Sequence, residues 1–116
     1  MNNAQLTMNT EFVVAAKISE IEEGQVKVVR VGDAPVGVTL VDGEYFAFAD
    51  VCTHDDGPVA EGDLDNTVIE CPRHGARFDI RTGRALSLPA VVPIPVYAVE
   101  VDGDVIKVSK KPVSNI

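Results

Sequence analysis

Two Asp-Gly pairs, Asp42-Gly43 and Asp102-Gly103, each divide a pair of alternating apolar runs. Asp-Gly accepts the positive φ angles of a tight two-residue turn. "VGVTLVDGEYFAFAD" and "VYAVEVDGDVIKV" therefore read as β-hairpins. The rest of the chain follows the same grammar. "FVVAAKI", Phe12 to Ile18, reads as a first strand, and "SEIEEG" turns the chain at Gly24. "QVKVVRV" alternates, which places Val26, Val28 and Arg30 on one face. "GDAP" is a turn, Thr67 to Glu70 a short strand, and "ARFDIRTGRAL" a hairpin turned at Thr82-Gly83. Pro89, Pro93 and Pro95 keep "SLPAVVPIP" from being an ordinary central strand. No repeat and no sustained helical period appears, and room for a short helix exists only near Ile18 to Glu23 or after Gly57. The expected class is all-β, built of short antiparallel strands.

A chain of 116 residues fits one domain and can bury a core without crosslinks. Its net charge of −8 argues against nucleic-acid binding, which needs a Lys/Arg surface. Acidity can steer the chain towards a basic protein partner or simply keep it soluble. "MNNAQLTMNT" lacks the pattern of a secretory signal, and no run is apolar for long enough to span a bilayer. A cytoplasmic protein with reduced thiols and no membrane partner is expected. In that compartment paired cysteines serve metals or catalysis more often than crosslinks.

All the cysteine and histidine of the chain falls in two short turn-rich segments. Cys52 and His54 form C-x-H in "VCTHDDG"; Cys71 and His74 form C-x-x-H in "ECPRHGARFD". Thiolate and imidazole are the usual protein ligands of zinc, iron and copper. Zinc sites often group Cys with Cys and His with His, whereas here each loop carries one of each, which suits a two-iron cluster and also leaves zinc open. Blue copper is disfavoured, since the only methionines are Met1 and Met8. A thiol enzyme pairing Cys52 with His74, or Cys71 with His54, leaves the second pair unexplained.

The pattern "CTH…CPRHG" resembles the Rieske iron–sulfur family. Most of the chain, about residues 11–109, is similar to the Rieske-type ferredoxins of bacterial ring-hydroxylating oxygenase systems. The resemblance implies a Rieske fold: antiparallel β-sandwich or barrel-like sheets with a small cluster-binding subdomain, about residues 50–82, made of two loops. Residues 1–10 and 110–116 are expected to be tails. It implies one [2Fe-2S] cluster, with Cys52 and Cys71 on one iron and His54 and His74 on the other. The implied function is one-electron transfer, not catalysis, from a flavin reductase to a terminal non-haem iron oxygenase. No small-molecule substrate of its own is expected. Service to another redox system, or a zinc-stabilised module without redox activity, is the alternative.

Two departures from respiratory Rieske proteins sharpen the expectation. Those proteins carry a loop-clamping disulfide at the positions of Gly57 and Arg73, so these loops must be held by backbone hydrogen bonds and packing. They also place Ser and Tyr hydroxyls where this chain has Ala76 and Phe78, which implies a low-potential centre here. Thr53 and Pro72 are expected to shape the loops, and Gly75 either to allow close backbone approach or simply to make a turn. Arg73 and Arg77 are candidates to touch a partner or a carboxylate such as Asp55 or Asp56, a solvated surface pair being preferred for Arg77. "LPAVVP" is either a cover beside the cluster or an edge segment. The outer edges of His54 and His74 are expected to face solvent as the electron's exit.

Overall fold

The computed structural model describes residues 11–53, 57–73, 75–88 and 92–113. Eleven strands follow one another: β1 (Phe12–Lys17), β2 (Val26–Val31), β3 (Ala34–Val41), β4 (Glu44–Ala49), β5 (Asp63–Asp65), β6 (Val68–Glu70), β7 (Arg77–Asp79), β8 (Ala85–Ser87), β9 (Val96–Tyr97), β10 (Val99–Asp102) and β11 (Val105–Ser109). They form three antiparallel sheets, ordered β1-β11-β10, β2-β3-β4-β9 and β5-β6-β7-β8. Among the described residues one 3-10 turn, Ile18–Glu20, occupies the place expected for a short helix. Glu20 Oε1 caps it by accepting the Lys17 N–H at 2.8 Å. Among the described residues no helix follows Gly57, and none is long and apolar enough to cross a membrane.

The first Asp-Gly turn forms as expected. Val41 pairs with Glu44, and Asp42 and Gly43 have φ of 52° and 81°. The second is shifted by one residue. Asp102 stays in β10 opposite Val105, so the turn residues are Gly103, at φ 63°, and Asp104. "DGD" offers both choices, and the register that buries Ile106 and Val108 decides between them.

Sheet β2-β3-β4-β9 is the middle layer. Along β4 the side chains alternate between two cores. Phe48, with Phe46 beside it, enters a core shared with Cys52, Val59, Ile69, Cys71, Ala76, Phe78, Ile80, Ile94 and Val96. Ala47 and Ala49 face a second core with Ala16, Val36, Val38, Ile106 and Val108. Gly37 pairs with Phe48 across β3 and β4, and a Cβ on Gly37 would lie 2.8 Å from Phe48 Cζ. The missing side chain is what lets the ring lie flat against the sheet. On β2 the expected shared face is buried only in part: Val26 packs against the cysteine-bearing core, while Val28 and Arg30 are exposed. Val29 and Val31 point the other way, into the second core.

The C-terminal segment "SKKPVSNI", which includes the expected tail, is tied to the domain over its described part. Ser109 is buried, the Lys110 N–H donates to Glu11 O at 2.8 Å, and the Val113 N–H donates to Val96 O at 2.7 Å. Val113 also packs on the cysteine-bearing core. These are long-range contacts that the polar local sequence does not signal. Residues 1–10 and 114–116 lie outside the described part.

Candidate metal centre

Both cysteines leave strands of different sheets and enter one core. Cys52 follows β4 through Asp50 and Val51, and Cys71 follows β6 directly. Their exposure is 0% and 1%, and they are not joined in a disulfide. The two loops close in the same way. The Cys52 N–H donates to Gly57 O and the Cys71 N–H to Ala76 O, each at 2.7 Å and each to the fifth residue on. That length is at the short end for an amide hydrogen bond. In the second loop the Gly75 N–H also reaches Cys71 O at 3.0 Å, with Gly75 at φ 77°, a conformation that glycine adopts without steric cost.

Further bonds tie the first loop to its surroundings. Asp50 Oδ1 accepts the N–H groups of Val59 at 2.8 Å and Ala60 at 2.7 Å. The Thr53 hydroxyl donates to Val92 O at 2.5 Å, joining the first loop to the proline segment. That bond favours the reading of the segment as a neighbour of the loops, although Pro89 to Val91 lie outside the described residues. Leu88 and Val92 are exposed.

The loops also touch one another through Arg73. Its Nη1 donates to Pro58 O at 2.8 Å. Its guanidinium lies over Gly57, where a Cβ would stand 2.7 Å from Cζ. The expectation that backbone bonds and packing alone hold the loops is thus incomplete: a side chain spans them. Arg77 pairs with Glu70 at 3.2 Å in an exposed ion pair, the solvated arrangement preferred from sequence. Asp55 and Asp56 lie outside the described residues, as do His54 and His74 and the expected solvent-facing edges of their rings.

The donor set suits a Rieske cluster. Two buried thiols come from loops with matching closures, and each loop carries one histidine in sequence. Ala76 and Phe78 are fully buried in the same core and bring no hydroxyl to it. The matched loop closures escaped the sequence reading, because backbone bonds have no residue signature. The glycines at Gly57 and Gly75 were the only local hint.

Comparison with known proteins agrees with this. The family model described as Rieske [2Fe-2S] domain matches residues 11–98. Ferredoxin CarAc of Metapseudomonas resinovorans is 40% identical over 106 residues, covering 90% of this chain and 99% of that protein. The ferredoxin component of biphenyl 2,3-dioxygenase from Rhodococcus jostii (strain RHA1) is 45% identical over 73 residues, covering 63% of this chain and 68% of that one. Among solved structures, a chain in the complex of reduced oxygenase and oxidized ferredoxin of carbazole 1,9a-dioxygenase superposes with a TM-score of 0.83 at 36% identity. It covers 90% of this chain and 97% of its own length.

Proposed function

Because the chain belongs to the Rieske [2Fe-2S] family, we propose that Cys52, His54, Cys71 and His74 hold its one Rieske-type cluster and that it carries electrons to a terminal oxygenase. The observation that carries the ligand assignment is the burial of Cys52 and Cys71 in one core, each at the head of a loop closed by the same backbone bond. Bound there, the cluster supplies one-electron chemistry, and neutral imidazole in place of thiolate raises its potential above that of a four-cysteine ferredoxin. The protein's own part is to fix the ligands and exclude water from the cysteine side, where Phe48, Phe78, Ile69 and Ile80 pack.

An oxygenase as acceptor is supported by relatives named as ferredoxin components of dioxygenase systems and by a solved complex of a ferredoxin with its oxygenase; a flavin reductase as donor and non-haem iron in the acceptor complete the reading. The domain is read as residues 11–109 and the protein as cytoplasmic. The purified protein is expected to be red-brown, to hold two irons per chain, to bleach on reduction and then to give a Rieske EPR signal. Cys52→Ser and His74→Ala should abolish that signal. A colourless protein containing one zinc per chain would sink the proposal.

A further inference from the structure

We propose that Arg73 is a positioning residue that straps the second ligand loop to the first. The three heavy atoms nearest to a Cβ built on Gly57 all belong to the Arg73 guanidinium: Cζ and Nη2 at 2.7 Å and Nε at 3.0 Å. The flat group therefore lies on bare backbone that only glycine provides. From there Nη1 reaches the carbonyl of the next residue, Pro58, at 2.8 Å. The strap joins positions 57–58 to position 73. Gly57 O is also the acceptor that closes the first loop on the Cys52 N–H. Arg73 thus bears on the residue that shapes the Cys52 loop, from a position two residues after Cys71. A planar guanidinium can stack and donate at once, which a lysine ammonium cannot. The pair does without covalent chemistry what a crosslink between the loops would do.

The inference rests on these loops being the ligand loops, and the colour and EPR signal of the wild-type protein test that separately. Loss of visible absorbance in excess iron chelator measures how often the loops part. Arg73→Ala and Gly57→Ala should each shorten the half-life of the cluster about fivefold, the effect of one exposed, charge-assisted hydrogen bond. The double variant should lose the cluster no faster than either single one, because both remove the same contact. Arg73→Lys should recover less than half of the loss. The EPR signal of the reduced protein should broaden in Arg73→Ala and Gly57→Ala, and stay as in the wild type in Arg81→Ala, a control outside the loops. Wild-type half-lives, additive effects in the double variant, or full rescue by lysine would each overturn the strap. If Arg73→Ala fails to load, Gly57→Ala decides alone: an unchanged half-life and an unchanged EPR signal overturn the proposal.

Discussion

The α-carbon of Gly62 lies against the carbonyl oxygen of Glu70, so that a side chain on Gly62 would overlap it. Gly62 ends the first loop, and Glu70 is the last residue of β6 before Cys71. The contact therefore sets how near the exit of one cysteine-bearing loop comes to the entrance of the other. The obstacle is backbone in a paired strand and cannot swing aside. Gly62→Ala should cost roughly 3 kcal/mol and lower the iron content of purified protein. Wild-type iron content with an unchanged denaturation midpoint would refute this.

Gly37→Ala should be milder. The neighbour there is the Phe48 ring, at 2.8 Å and 3.1 Å from the built Cβ, with Val26 Cγ1 at 3.0 Å. Phe48 is fully buried between layers, so it can shift only by displacing the cysteine-bearing core. A loss of about 1–3 kcal/mol is expected in chemical denaturation. A Gly37→Ala, Phe48→Leu double variant should regain part of what the first change loses.

Asp50 offers a test of loop bracing. Its Oδ1 holds two backbone N–H groups, those of Val59 and Ala60. Asp50→Ala leaves both without that acceptor, at a cost of about 1–3 kcal/mol. Asp50→Asn keeps an amide oxygen that can take the same place and should lose less. Thermal unfolding of the two variants side by side checks the order.

Asp79 makes stability depend on acid pH. The Arg81 guanidinium, bonded at 2.8 Å and 3.1 Å, holds its carboxyl below the ordinary range against the opposing effect of burial. A group depressed in the folded state stabilises above its unfolded pKa, near 4. That contribution is lost as pH falls through the depressed value. Asp79→Asn should therefore destabilise by about 1 kcal/mol at neutral pH. Its deficit should close as the pH drops below 4 (an ordinary carboxylate value). A pH-independent deficit in denaturant titrations would contradict the pair's role.

The residues at positions 76 and 78 bear on redox potential. Ala76 and Phe78 are buried in the core that holds Cys52 and Cys71. With no Ser or Tyr donor at these positions, the centre should titrate near the lower end of the Rieske range, about −150 mV. Phe78→Tyr should raise the potential wherever its new hydroxyl reaches a cluster sulfur. A strongly positive wild-type potential would refute the expectation.

What the sequence made legible was what side chains announce. Alternating valines and Asp42-Gly43 announced strands and a hairpin, and "CTH…CPRHG" announced the Rieske family. Asp102-Gly103 misplaced its turn because the local signal was double and the register was settled by Ile106 and Val108 in the core. The hairpins turned at Gly32-Asp33 and Asn66-Thr67 are equally tight, with Gly32 and Asn66 at positive φ. Only the first had been read as a turn, since "DNT" between short strands is a weak cue. Val113 was placed in a tail because its partner, Val96, is not adjacent in sequence. The Arg73 strap was half legible: Gly57 and Arg73 had been matched as the positions of a crosslink in relatives, but a backbone carbonyl such as that of Pro58 gives no sign in sequence that it will be the acceptor.

The paired closures at Cys52 and Cys71 have a kinetic meaning. Each amide is already spent on a short bond within its own loop. With a cluster bound between the loops, amides already bonded in place would have little to rearrange as its charge changed. A scaffold fixed in advance keeps the reorganisation energy of an electron carrier low.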